Sequence, residues 1–255
     1  MAIGVFSLLA NGKLGLKTGE AIDRPRKRVS SGFSSDFSPL EKGRIHQWHT
    51  AGADQGQAWY PPLTLFAKLV CLAKTGGRVL WIGRKCWPSF QLLSALAAGD
   101  ACRLMEGSVF LDPLTDDERF WAIGQGLRCA GAGCVIADGS GMDVTASRRL
   151  QLAAESGKVL GLIARPSWEI DEPTYAATRW LVQPHESADG LPRWDIELKS
   201  CRGQPVGQDA PRRWTVDWTY QVFRGTGTLH FSPDVGCGPA ASQVGTHLSG
   251  RHKIA

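Results

Sequence analysis

The chain has 255 residues, a hydrophobic fraction of 43% and a formal net charge of +5. This length suits one large α/β domain or one domain with terminal extensions, and the apolar content is enough for a single core. No run approaches the roughly 18 apolar residues of a membrane span, and the N-terminus lacks the basic region of a signal peptide. We therefore expect a soluble, cytoplasmic protein.

The positive charge lies at the two ends of the chain. Residues 44–218 contain 19 basic and 19 acidic side chains, whereas residues 1–43 contain seven basic and four acidic ones. Phosphate contacts dominate affinity for nucleic acids. The zero net charge of residues 44–218 therefore argues against a dedicated nucleic-acid surface there. Four basic residues are the N-terminal candidates for contact with DNA or an acidic partner: Arg24, Arg26, Lys27 and Arg28. The alternative for them is a solvated charged segment.

Cysteine and histidine residues show no pattern typical of metal sites. The seven cysteines are odd in number and none are spaced as Cys-x-x-Cys, which predicts buried, reduced thiols rather than disulfides or a zinc ribbon. His46 and His49 fall in a predicted strand, where side chains alternate between the two faces. We expect them on opposite faces and predict no metal site.

The first half of the chain contains strands and helices in alternation after an irregular start. Residues 1–40 are rich in Gly, Ser, Lys and Arg and predict an irregular basic segment. A strand at 44–50 precedes a helix at 63–74, which follows two prolines and ends at two glycines. Further elements are then predicted: a buried strand at 78–83, a short helix at 89–98 and a strand at 108–111.

The alternation continues with two capped helices. Thr115 and Glu118 have the spacing of a capping box. A buried strand at 134–138 follows, and Asp143 is the expected cap of a second helix that stops at Gly157. An apolar strand is then predicted at 159–164.

The second helix has an apolar stripe at positions i, i+4, i+7 and i+8 from Ala146. Arg148, Arg149 and Gln151 lie off this stripe. Arg148 and Arg149 are therefore candidates for contact with a partner or DNA, with a solvated helix face as the alternative.

The pattern changes from Thr178 onward. Three segments with alternating character, at 178–184, 192–203 and 212–218, predict an antiparallel extension at one edge of a mostly parallel sheet with helices on both faces. Their tryptophans either pack the sheet or form a platform for a partner or a stacked base. Residues 221–255 are rich in Gly, Ser and small side chains and predict a low-order tail.

Residues 51–58, AGADQGQA, occupy the position of a phosphate-binding P-loop. In the pattern G-x-x-x-x-G-K-[ST], glycines admit the phosphates, lysine neutralises their charge and the hydroxyl holds magnesium. Gly56 retains the second glycine, whereas Ala51, Gln57 and Ala58 replace the first glycine, the lysine and the hydroxyl residue. A charge-assisted hydrogen bond contributes about 1.5–3 kcal/mol, so the missing lysine alone weakens nucleotide binding by roughly one to two decades.

Two further observations bear on nucleotide chemistry. Tyr60 precedes Pro61 and is pushed away from α geometry, so the helix is predicted to start near Tyr60, too late for its amides to reach a phosphate at Gly56. Asp138 ends a strand as a Walker B acid does, although an Asp there is also a common turn residue. The residues predict no catalysis and no cofactor.

The order of elements resembles the RecA-type core, with a RecA-like domain at 41–220 between the segments 1–40 and 221–255. More specifically, the chain resembles the ImuA family over about residues 40–218. The likeness is carried by RVLWIGR, DVTASRRLQLAAESG, TRWLVQP, PRWDIELKSCRGQP and WTVDW.

This resemblance implies a non-catalytic accessory role in SOS-induced bacterial translesion DNA synthesis. ImuA-like proteins work with ImuB, a relative of Y-family polymerases, and are linked to RecA. Two alternatives remain open: a cell-division inhibitor similar to SulA, which shares the fold without nucleotide machinery, and a weak RecA-like ATPase or DNA-binding protein.

Overall fold

A computed structural model describes residues 40–51, 59–73, 75–97, 104–185, 193–202, 213–221 and 226–233. The strands are β1 (Ile45–Thr50), β2 (Arg78–Ile82), β3 (Ser108–Leu111), β4 (Ala132–Asp138), β5 (Leu160–Pro166), β6 (Thr178–His185), β7 (Arg193–Cys201), β8 (Arg213–Gln221) and β9 (Thr226–Pro233). The helices are α1 (Leu63–Ala73), α2 (Phe90–Ala97), α3 (Leu104–Gly107), α4 (Asp116–Arg128) and α5 (Val144–Gly157), with 3-10 turns at Arg84–Cys86 and Ser167–Glu169. None of the helices in these ranges is long and apolar enough to cross a membrane.

The strands form one sheet in the order β3-β2-β4-β5-β1-β6-β7-β8-β9. Pairing is parallel from β3 to β6 and antiparallel from β6 to β9. This confirms the predicted fold class, a RecA-like core with a mostly parallel sheet and an antiparallel extension at one edge. β6 differs from the prediction in one respect, because it pairs with β1 in parallel rather than antiparallel. β5 and β6 lie on opposite sides of β1, so the chain crosses β1 between them.

β9 lies within the segment 221–255, for which the sequence predicted a low-order tail. The structure corrects that prediction for Thr226–Pro233, which pairs antiparallel with β8. The prediction took the Gly and Ser content of the whole segment and so missed the short stretch TGTLHFSP, whose threonine and aromatic residues favour a strand. Residues 1–39 and 234–255 lie outside the described residues.

Two apolar clusters cover the two faces of the sheet. On the α1 face, Trp48 stacks on Trp180 with ring centroids 5.0 Å apart and meets Phe66 of α1 edge-on at 5.8 Å. On the α4–α5 face, Ile45 belongs to a cluster that includes Leu127 and residues of α5. Alternation along β1 explains this division, because neighbouring side chains of a strand point to opposite faces. Trp180 therefore packs the sheet.

The starts of α4 and α5 confirm the predicted caps. Glu118 N donates to Thr115 Oγ1 at 3.2 Å, and Thr115 N donates back to the Glu118 carboxylate at 3.3 Å. Ala146 N donates to Asp143 Oδ1 at 2.6 Å. These bonds satisfy amides that have no partner inside the helix, which fixes where both helices begin.

The side of α5 that meets the sheet is wider than the predicted apolar stripe. Gln151, predicted to lie off that stripe, is buried; its Oε1 accepts from Ile45 N at 3.0 Å and its Nε2 donates to Glu155 Oε1 at 2.8 Å. The side chain is polar, so an apolar stripe could not reveal that it faces inward. Gln151 thus joins α5 to the first residue of β1.

The C-terminus of α5 differs from the prediction in its mechanism. Lys158, rather than Gly157, takes the left-handed conformation, with φ of 55°. Gly157 is needed for a different reason, because a Cβ there would lie 2.1 Å from the carbonyl oxygen of Leu127 at the end of α4. The glycine therefore allows α4 and α5 to approach closely.

Substitutions at these two neighbouring positions should have opposite effects on the free energy of unfolding. Gly157→Ala should lower it by about 1–3 kcal/mol, because the methyl group forces α4 and α5 apart. Lys158→Gly should raise it by about 0.5–1 kcal/mol, because glycine adopts positive φ without strain. Urea denaturation at neutral pH measures both changes. Equal stability of Gly157→Ala and the unsubstituted protein would contradict the packing argument.

Candidate functional site

The candidate site lies at the carboxyl edge, defined here as the edge where β1, β4 and β5 end at Thr50, Asp138 and Pro166. In open α/β sheets, ligands bind at this edge where successive connections leave the sheet on opposite faces. The chain leaves β1 toward α1 on one face and leaves β4 toward α5 on the other. β5 separates the two strands, so β1 and β4 are about 10 Å apart.

Of the predicted P-loop positions, the structure describes only Ala51, which lies at this edge. Ala51 continues the sheet, and its N–H donates to Val182 O of β6 at 3.0 Å. Gly56, Gln57 and Ala58 lie in the range 52–58, outside the described residues.

The segment that leads into α1 is described from Trp59 onward. Trp59 belongs to the core of the α1 face, and the Lys85 ammonium group lies 4.8 Å from the centre of its ring. Pro61 and Pro62 are buried, whereas Tyr60 is 72% exposed. The two prolines therefore pack beneath the start of the helix.

α1 begins at Leu63, six positions after Gln57 and three after the predicted start near Tyr60. Phe66 N donates to Pro62 O at 3.0 Å, which is the first hydrogen bond of α-helical spacing. Because Pro61 and Pro62 carry no N–H group, neither can donate a hydrogen bond to a phosphate. The start of α1 at Leu63 confirms the predicted helix range of 63–74 and lies three residues after the start near Tyr60 that the proline argument gave.

Asp138 occupies the position of a Walker B acid at the end of β4. It aligns with Ala164 of β5 and, through that residue, with Trp48 of β1, so its side chain lies on the α1 face. Asp138 Oδ1 accepts hydrogen bonds from Ser140 N at 2.9 Å and from Ser140 Oγ at 2.7 Å. The carboxylate thereby forms a local turn, the alternative role for an aspartate at the end of a strand.

A glycine gives Asp138 the space it occupies. Gly83 follows β2 with φ of 86°, and a Cβ at this position would lie 3.0 Å from Asp138 Cβ. A side chain at residue 83 would be strained by its backbone and would also crowd the carboxylate. The ends of β2 and β4 are consequently in close contact.

The most strongly buried charge at this edge was not predicted from the sequence. Arg165 of β5 is fully buried; its Nε donates to Glu169 Oε2 at 2.7 Å, and its Nη2 donates to Glu172 Oε2 at 2.6 Å and to Met142 O at 3.0 Å. Glu169 Oε1 in turn accepts from Gly141 N at 3.0 Å. These contacts fasten the loop after β4 to the turn after β5. The available signal in the sequence was a pair of opposite charges four residues apart, Arg165 and Glu169, directly after the predicted apolar strand.

The two histidines of β1 lie on opposite faces, as predicted. His46 Nε2 lies 3.2 Å from Glu41 O, and a carbonyl oxygen only accepts, so this nitrogen carries the proton. His46 Nδ1 then accepts from the Thr178 hydroxyl at 2.8 Å. His49 Nδ1 donates to Pro166 O at 3.2 Å. Both rings are neutral donors to backbone carbonyls.

Burial explains why both rings stay neutral. Desolvation is the main cause that lowers the pKa of His46 to about 4 and the pKa of His49 to about 3. For His49, the positive charges of Arg165 and Arg179 lower the pKa further. Within the described residues, no group of His, Cys, Asp and Glu side chains is arranged to hold a metal ion.

The candidate arginines of α5 do not form one surface. The Arg148 guanidinium lies 5.5 Å from the centre of the Tyr175 ring, and Arg202 lies 4.7 Å from the same ring. Arg149 instead lines a groove between α4 and α5. The N-terminal candidates lie outside the described residues: Arg24, Arg26, Lys27 and Arg28.

Comparison with known proteins gives one consistent match. The chain is 24% identical to protein ImuA of Caulobacter vibrioides over 191 aligned residues, which cover 63% of this chain and 72% of the relative. The chain is similar to ImuA. ImuA from a second strain of the same species matches with the same identity and coverage, and no family model matches. The resemblance to ImuA predicted from sequence segments is thus confirmed.

The buried histidines predict that stability depends on pH. Both native-state pKa values lie below the ordinary value of 6.5, so between pH 6.5 and about 4 the unfolded chain binds protons that the native protein does not. Each histidine should therefore lower the free energy of unfolding by about 1.4 kcal/mol per pH unit as the pH falls through this window. Urea denaturation from pH 6.5 to pH 5 measures the slope. His49→Gln should remove about half of it, and an unchanged slope in that variant would contradict neutral burial of His49.

Proposed function

We propose that this protein is a non-catalytic, RecA-fold accessory factor in DNA-damage-induced (SOS) translesion DNA synthesis. The observation that carries the proposal is the similarity to ImuA across most of the relative's length, on a sheet of RecA-like order. The proposed partners are RecA and an ImuB-like relative of Y-family polymerases, and the protein acts through contacts with them.

The non-catalytic part of the proposal rests on the carboxyl edge. Gln57 and Ala58 stand where a working P-loop has lysine and a hydroxyl residue, so neither phosphate charge nor magnesium has its usual protein group. α1 begins at Leu63 after two prolines, and one oxygen of Asp138 is engaged in a turn with Ser140. These losses remove the groups that position a nucleotide for hydrolysis in a working P-loop protein.

A binding assay with purified proteins tests the partner proposal. The full chain, immobilised, should retain RecA and the ImuB-like protein of the same organism, each added separately. Trp48→Ala removes a fully buried ring and lowers the free energy of unfolding by about 3–5 kcal/mol. This destabilised variant is the control for non-specific retention by unfolded chain. Retention of neither protein by a folded sample would overturn the proposal.

Calorimetry with Mg-ATP tests the absence of nucleotide binding. We expect no binding tighter than about 100 μM, since that affinity requires more than about 5 kcal/mol from a site that lacks its lysine. The double variant Gln57→Lys, Ala58→Thr should not recover binding, because α1 still begins at Leu63 after the prolines. Measurable affinity in the double variant would show that the late helix start does not prevent nucleotide binding and would favour the ATPase alternative.

A further inference from the structure

A groove of about 490 Å³ separates α4 from α5 on the outside of the α4–α5 face. The two helices run in the same direction, because each connects two parallel strands through the same side of the sheet. Gly124, Ala146 and Leu150 are among the residues that line the groove. A Cβ at Gly124 would lie 3.4 Å from Arg128 Nη1 and 3.7 Å from Leu150 Cδ2, so the missing side chain leaves room for the Arg128 guanidinium beside Leu150.

The α4 side of the groove has the periodicity of a helix-binding surface. Its lining residues recur at the spacing of one helix face, from Asp117 through Trp121 and Gln125 to Arg128. Trp121 is 67% exposed although tryptophan is costly to leave in water. An exposed aromatic residue therefore lies on the α4 side of the groove.

The charges of the groove are ordered along its length. Asp117 and Asp143 lie at the end where α4 and α5 begin, Arg149 lies in the second turn of α5, and Arg128 is the last residue of α4. Within the described part of the chain, no salt bridge joins any of these four to an opposite charge. Two acidic and two basic groups give no net attraction for a nucleic-acid backbone, which requires excess positive charge. The ordered charges suit a polypeptide with the complementary order.

We propose that this groove binds one amphipathic helix of a partner protein, running antiparallel to α4 and α5. Its acidic first turn lies beside Arg128, its basic last turn lies beside Asp117, and its apolar residues contact Trp121. This charge order is also the one that stabilises an isolated helix, because acidic groups favour the N-terminus and basic groups the C-terminus. The distance from Asp117 to Arg128 along α4 is about 16 Å, which corresponds to three turns of the bound helix.

Two synthetic peptides of identical composition test the proposal without reference to any particular partner. Both are Ala-based, about 14 residues long, and carry leucines at i, i+4 and i+7; the matched peptide has Glu in its first turn and Arg in its last, and the reversed peptide has these exchanged. Fluorescence anisotropy of the labelled peptides with the full chain at low salt measures binding. The matched peptide should bind at least about tenfold more tightly than the reversed one.

Three groove variants and one control variant locate the binding. Trp121→Ala should weaken binding of the matched peptide at least about tenfold, whereas Trp168→Ala, which removes an exposed tryptophan outside the groove, should leave it unchanged. Arg128→Glu should abolish the preference for the matched peptide. Gly124→Ala introduces only contacts of 3.4 Å or more, so it keeps the fold while it narrows the groove, and it should also weaken binding.

Several outcomes would overturn the proposal. Equal affinity for the two peptides, or unchanged binding by both Trp121→Ala and Gly124→Ala, would exclude a helix in this groove. A dimer in light scattering that Trp121→Ala converts to a monomer would assign the groove to a second copy of the chain. Increased proteolysis of residues 1–39 in Trp121→Ala would assign it to the chain's own N-terminal segment.

Discussion

The buried guanidinium of Arg165 is the interaction on which the carboxyl edge of the sheet depends. A charge with no exposure requires partners on several sides, because desolvation otherwise costs several kcal/mol. Glu169 and Glu172 come from the segment after β5, and Met142 O comes from the loop after β4. The need to satisfy one charge therefore determines where two loops lie.

The same loop after β4 is also held from α4. Arg119 Nη2 donates to Ser140 O at 2.8 Å, while Arg165 holds Met142 O and Glu169 holds Gly141 N. In an ATPase this edge must admit a nucleotide and rearrange as phosphate leaves. Here three consecutive residues after Asp138 are hydrogen-bonded to charged side chains from two directions. The edge serves to fix the loops, which is consistent with an accessory role in which the outer faces of the helices meet other proteins.

The sequence predicted the parts of this structure that depend on apolar periodicity and local capping. The helix caps at Thr115 and Asp143 and the strands of the parallel core follow from patterns within a few residues. Arg165 and Gln151 were missed for a shared physical reason, because both are buried polar side chains and the periodicity of apolar residues cannot show that a polar side chain is buried. Lys158 was missed for a related reason, because close packing at Gly157 displaced the left-handed position by one residue.

Small residues determine how α4 and α5 pack against each other. Gly157 lets the end of α4 approach α5, because a methyl group there would collide with Leu127 O. Gly124, one helical turn earlier on α4 than Arg128, leaves room for the Arg128 guanidinium, whose Nη1 donates to Gly124 O at 3.3 Å. Helices packed this closely at one point place a continuous concave surface beside the contact. Trp121 then remains exposed at that surface because the helix pair buries its apolar residues toward the sheet, and the groove is a direct consequence of how the core is built.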